Sequence, residues 1–148
     1  MTIRTKRIIV DILMTIFFIL SFATYYAMDD AIIPFHAVVG SICAVLFVIH
    51  VWINRQWLVS VGKNRKTGKV TKKTAWVYRI DIALIIVWGI CILSAIPAVI
   101  YYVGGVESLL LFRNIHSITS TIGLILVIVH VIQHMRQIKS YFRRRKPA

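Results

Sequence analysis

Four of the five histidines stand in two matched pairs. His36 follows Phe35, and His50 lies further along the same apolar run. His116 follows Ile115, and His130 stands at the same distance from it as His50 from His36. The second pair therefore repeats the first at one constant offset. The spacing within a pair is about 14 residues, and at about 100° per residue it falls about 40° short of four helical turns. Each pair thus shares one helix face. At about 1.5 Å per residue its members lie about 21 Å apart along the axis. Imidazole ligates metals through either ring nitrogen. Two such helices running side by side in one direction offer one His each at two levels. A bis-imidazole haem iron takes two neutral imidazoles from opposite sides of a flat ring. With both axial positions filled, it favours electron transfer over ligand chemistry.

The residues around the pairs fit a flat group between helices. Gly40 and Ser120 each lie one turn after the first His of their pair, and Cys43 and Gly123 two turns after it. Small side chains there admit a porphyrin, and they also admit close helix packing. Arg113, just before His116, is a candidate partner for haem propionates, because a guanidinium pairs with carboxylate as a fork. Arg55 and Arg79 are candidates at the other level, where membrane topology explains their charge equally well. His134 lies one turn after His130 and is an alternative ligand. The repeat favours His130, since the counterpart of His134 in the first copy is Asn54. Asp11 and Asp81 are expected in the first turns of their helices, paired with Arg7 and Arg79. A quinone-site proton acceptor is the other role open to them.

Four stretches without Asp, Glu, Lys or Arg position these residues: Ile12–Met28, Ala31–Asn54, Ile82–Val106 and Asn114–Met135. A bilayer core about 30 Å thick is crossed by roughly 20 apolar residues as helix. The last three runs suffice, and the shorter first run does so when Ile8–Asp11 is included. Backbone groups in lipid must be satisfied within the segment, which selects helix. The expectation is an all-α integral membrane protein, a single domain over 1–148. It is a four-helix up-down bundle of two helical hairpins, with helices at about 8–28, 32–57, 77–103 and 113–138. The first run is a retained helix rather than a signal peptide, since Asp11 interrupts it and no A-x-A-like site precedes Asp29.

The expected connections are an acidic link at Asp29–Asp30, a basic loop from Arg55 to Arg79, and Gly104–Gly105 with an interfacial tail Val106–Phe112. Pro34 falls near the start of helix two, and Pro97 should kink helix three. A frayed basic tail follows at Arg143–Lys146.

The chain is 59% hydrophobic and 16% charged, with 18 Lys and Arg against 5 Asp and Glu. That balance is too apolar for a solvated globular domain or a disordered chain. The cations cluster before the first run, within Arg55–Arg79 and after Met135. Only Arg113 falls on the other side, so the positive-inside rule places both termini in the cytoplasm. The net charge of +13 is then a topology signal, and no nucleic-acid partner is expected. Anionic membrane lipid is an expected generic partner. Cys43 and Cys91 lie in apolar runs with no CxxCH, so any haem is held non-covalently.

The second half of the chain echoes the first. The run Phe35–Ser41 (FHAVVGS) with Val48–Leu58 (VIHVWINRQWL) is matched by Ile115–Gly123 (IHSITSTIG) with Ile128–His134 (IVHVIQH). Arg7–Ile12 resembles Tyr78–Ile82 in the odd helices. On these residues the chain, from roughly Lys6 to Ile138, resembles the flavinylation-associated cytochrome family, and more broadly prokaryotic four-helix cytochrome b subunits. The resemblance implies two non-covalent haem b groups, one on His36 and His116 and one on His50 and His130. It implies transmembrane electron transfer in a prokaryotic plasma membrane, with a flavin-carrying or quinone-linked redox partner. Homo-oligomer formation is left open.

Other function classes explain less. A membrane metal-ion carrier expects ligands along a hydrated path, and the helix centres hold no acidic residue. A non-catalytic assembly subunit gives no reason for the repeated histidines. No nucleophile–base pair, phosphate loop or carboxylate dyad supports a stand-alone enzyme, and a partner is expected to supply any flavin domain.

Overall fold

The four apolar runs form four α-helices in the computed structural model, which describes residues 2–26 and 32–143. They are α1 (Ile3–Tyr26), α2 (Ile33–Lys66), α3 (Lys72–Gly104) and α4 (Leu110–Arg143). No strand occurs among the described residues. The expected link at Asp29–Asp30 lies outside them, as does the expected basic tail except for Arg143, the last residue of α4.

Every helix outruns its apolar stretch at one end at least. Two caps explain the early starts of α1 and α3. The Thr5 N–H donates to Thr2 Oγ1 at 3.2 Å, and the Thr74 N–H to Thr71 Oγ1 at 3.2 Å, so each threonine satisfies an orphan donor of the first turn. Asp11 and Asp81 therefore sit two turns or more inside their helices, not in first turns. The late end of α2 has a charge reason. Lys63, Arg65 and Lys66 occupy its last turn, where the negative end of the helix dipole favours cations.

The basic loop expected over Arg55–Arg79 thus contracts to residues 67–71. Lys69 N–H donates to Asn64 O at 3.0 Å and Gly68 N–H to Arg65 O at 3.2 Å, closing the end of α2. That closure needs a left-handed residue, and Gly68 supplies it at φ +71°. The tail Val106–Phe112 is exposed but for Leu109, and it is partly helical. Glu107–Leu109 form a 3-10 turn that leads directly into α4. Pro34 falls in the first turn of α2, and α3 continues through Pro97.

All four helices contain a stretch long and apolar enough to cross a membrane. At about 1.5 Å per residue, α2, α3 and α4 are each about 50 Å long, well beyond a hydrocarbon core of about 30 Å. Their surplus length is where the charge lies. Apolar side chains cover the outside: Leu93 is 78% exposed, Ile96 71% and Trp52 65%. Water would penalise such a surface, and lipid tails would not.

The chain divides into two units. The first holds α1 with α2 as far as Ser60, together with Tyr102–Gly105. The second holds the end of α2, most of α3, and α4. In the first, α1 and α2 run antiparallel. Arg7 reaches Ile53, Asp11 reaches His50 and Thr24 reaches His36. In the second, α3 buries Asp81, Leu84, Cys91, Ser94 and Ala98, a stripe whose steps follow the helical period. This stripe meets α4 through Asp81 and Cys91. Gly123 lets the helices close up: a Cβ there would stand 3.0 Å from Trp88 Nε1.

A bulky residue at Gly123 must therefore displace the Trp88 side chain. Gly123→Leu is expected to cost about 1–3 kcal/mol by overpacking. Thermal unfolding of the purified protein in detergent should show a lower Tm than wild type, while the same change at exposed Ile125 should leave Tm nearly unchanged.

Candidate functional site

Each repeated histidine turns its Nδ1 toward the other helix of its own hairpin. His36 Nδ1 lies 3.0 Å from Thr24 Oγ1, and His50 Nδ1 2.7 Å from Asp11 Oδ1. His116 Nδ1 lies 2.9 Å from the Cys91 carbonyl oxygen, and His130 Nδ1 2.8 Å from Asp81 Oδ1. Even-numbered helices supply the imidazoles, and odd-numbered helices supply the oxygens.

The chemistry of the oxygens fixes the tautomer. A carbonyl and a carboxylate only accept, so His50, His116 and His130 each donate from Nδ1–H. Thr24 can do either, but its single hydroxyl hydrogen is directed at the backbone. Its Oγ1 lies 2.9 Å from both Leu20 O and Ser21 O. His36 Nδ1 faces the same hydroxyl oxygen. A neutral imidazole with its proton on Nδ1 carries its lone pair on Nε2. In each of the four, Nδ1 is the nitrogen turned to an oxygen of the neighbouring helix, which leaves Nε2 as the nitrogen that would ligate a metal from the neutral form. It is the arrangement found around metal-ligating histidine, whose second nitrogen is anchored to a carboxylate or carbonyl.

The expected pairing of Asp11 with Arg7 and of Asp81 with Arg79 does not occur. Arg7 instead donates to the Ile53 carbonyl at 3.3 Å. Arg79 lies about 200° round the helix from Asp81, and is exposed while Asp81 is buried. Both aspartates serve histidines instead. The carboxylates differ in setting: the Asp81 side chain is 10% exposed and that of Asp11 46%.

His134 joins the second hairpin's cluster. Its Nε2 lies 3.7 Å from Asp81 Oδ2, and its ring centroid 4.5 Å from that of His130. Asp81, His130 and His134 each bring one ligand atom within 4.8 Å of the others, a spacing that suits a divalent cation. In the first hairpin the counterpart of His134 is Asn54, whose Nδ2 donates to the His50 carbonyl at 2.9 Å.

The small residues work inside the hairpins. A Cβ on Gly40 would meet Ser21 Oγ at 3.7 Å, and Gly123 backs onto Trp88. Cys43 is buried. Ser120 donates to the His116 carbonyl at 2.6 Å, and its Oγ lies 3.3 Å from Cys91 Sγ. In these places close helix approach is reason enough for their size. It is also what brings each Nδ1 within reach of its acceptor.

The arginines divide. Arg113 lies about 60° round α4 from His116, with its guanidinium 5.9 Å from the Tyr101 ring centre. Arg55 lies over the exposed Trp52 ring at 3.7 Å, about 140° round α2 from His50. The structure thus keeps Arg113 near its histidine's face and carries Arg55 away from it.

Sequence reasoning missed the acceptors. The aspartates had a readable signal, because Asp11 and Asp81 recur with the repeat and sit where an antiparallel hairpin meets His50 and His130. The Cys91 carbonyl has no signal, since every residue has one. Compared with known protein families, with curated proteins and with solved structures, the chain finds no match.

The tautomers are directly measurable. In haem-free protein labelled with 15N-histidine, His50, His116 and His130 should each show a protonated Nδ1. An unprotonated Nδ1 on His116, whose partner is a carbonyl, would contradict this geometry.

Proposed function

We propose that this chain is a membrane cytochrome b subunit that carries electrons across the bilayer on two non-covalent haem b groups. The four helices span the membrane as an up-down bundle. Both termini lie on the cytoplasmic side, where every Lys and Arg but Arg113 falls. In this reading His36 and His116 hold the haem nearer the outer face, and His50 and His130 hold the one nearer the cytoplasm. The observation that carries it is the shared orientation: four imidazoles, each held through Nδ1 by an oxygen of the neighbouring helix, as metal-ligating histidines are.

A bis-imidazole haem supplies one-electron exchange with no open coordination position. The chain's own residues do the rest. Thr24, Asp11, Cys91 and Asp81 hold the imidazole planes and tautomers. Arg113 is the propionate partner at the outer level, and Arg55 and Arg79 are weaker candidates at the inner one. The exposed apolar surface faces lipid, with its rim of cations toward anionic headgroups. A flavin-carrying or quinone-linked protein of a prokaryotic plasma membrane would deliver or receive the electrons. The chain is then an electron-transfer subunit rather than a stand-alone enzyme.

One observation favours a second reading. Asp81, His130 and His134 bring ligand atoms close enough together to hold a divalent cation, and a metal-ion carrier would use such a cluster. With Asn54 in place of His134 in the first hairpin, that reading leaves the four-fold repeat unexplained.

Ligand substitutions separate the two. After haem-replete expression, His36→Ala and His116→Ala should each remove the same half of the Soret absorbance. His50→Ala and His130→Ala should each remove the other half. A chain that takes up no haem, yet binds Zn2+ in a way that His134→Ala abolishes, would replace the cytochrome reading with the metal-ion one.

A further inference from the structure

The four Nδ1 anchors are not alike. At the His50 and His130 level both acceptors are carboxylates, Asp11 and Asp81. At the His36 and His116 level both are neutral, the Thr24 hydroxyl and the Cys91 carbonyl. The difference holds in both hairpins: the later histidine of each pair has a carboxylate, and the earlier one does not. We infer that Asp11 and Asp81 make the His50/His130 level the low-potential end of the chain, and that Thr24 and the Cys91 carbonyl leave the His36/His116 level the high-potential end. This rests on the cytochrome reading above.

Two effects give it the same sign. A carboxylate pulls on the Nδ1 proton and moves electron density toward Nε2, making the imidazole a stronger donor. A stronger axial donor stabilises ferric over ferrous iron. The negative charge beside the ligand also favours the more positive oxidation state directly. A hydroxyl or carbonyl oxygen does the first weakly and lacks a net charge for the second.

The basic side of the chain works against this, because cations favour ferrous iron. Arg7 donates to the carbonyl of Ile53, one turn after His50. Arg55 lies over Trp52 on another face, Arg79 is exposed about 200° round α3 from Asp81, and the lysines at the end of α2 are exposed and screened by salt. The aspartates act through the ligand itself, and Asp81 is shielded from water. The carboxylates win. With haem bound, Asp11 and Asp81 would favour the oxidised form at His50 and His130, and the uncharged groups beside His36 and His116 would leave the reduced form favoured there, so that net transfer would run away from the basic side. Asp81, less exposed than Asp11, carries the larger share.

Spectroelectrochemical titration of the full-length haem-replete protein reads this directly. Wild type should show two one-electron steps. Asparagine keeps an oxygen to accept the Nδ1 proton and removes only the charge. Asp81→Asn should shift the lower step upward by about tenfold in reduction equilibrium, which is about 59 mV for one electron, and leave the upper step in place. Asp11→Asn should shift it less. Should either variant fail to hold its haem, single-haem chains give the same answer. His36→Ala should retain the lower wild-type midpoint and His50→Ala the higher one. Two haems in the opposite order, or an Asp81→Asn shift confined to the upper step, would overturn the inference and leave the cytochrome reading intact. A chain with no haem removes both.

Discussion

A neutral imidazole carries one N–H that must find an acceptor when it is placed among apolar side chains. Four such groups sit in this chain, on helices otherwise rich in Ile, Val, Leu and Ala, and each is satisfied by the neighbouring helix of its hairpin. An unsatisfied buried polar group costs about 1–3 kcal/mol, and one in hydrocarbon several. The bonds therefore set the register of each hairpin as firmly as packing does. Sliding α1 against α2 by one turn would separate both His36 from Thr24 and His50 from Asp11.

The same constraint explains why polar residues recur on the odd helices. Asp81 and Ser94 are buried beside Leu84, Cys91 and Ala98 on one stripe of α3. Asp81 meets His130 and His134, and Ser94 donates to the Cys91 carbonyl that also receives the His116 proton. Thr24 in the first hairpin occupies the place of Ser94 in the second, and it too donates to the carbonyl one turn earlier. The two hairpins thus solve one problem with related parts. In the first the hydroxyl itself meets His36. In the second the carbonyl accepts from His116.

Much of this was readable from residue types and spacing. Four charge-free runs announce four helices, and one repeated spacing marks the four histidines. Helix ends were less legible. Apolar content stops where lipid would stop, but a helix stops where its caps are. Thr2, Thr71 and Gly68 carry the ends beyond the apolar runs, so the basic loop expected over Arg55–Arg79 became two helix ends and a short turn at 67–71. Asp11 and Asp81 were misassigned because sequence neighbours, Arg7 and Arg79, offered an easy pairing. A helix surface divides such neighbours, and the true partners, His50 and His130, lie on the next helix of each hairpin. The Cys91 carbonyl could not be foreseen at all, since backbone leaves no mark in composition.

Four Nδ1-anchored imidazoles serving two irons is the central claim. Haem stoichiometry by pyridine haemochrome, on purified full-length protein after haem-replete expression, tests it most directly. Two haem b per chain are predicted, with both irons low-spin and six-coordinate in the ferric and dithionite-reduced spectra. A single haem per chain would show that one level does not ligate, and a chain without haem would contradict the claim outright.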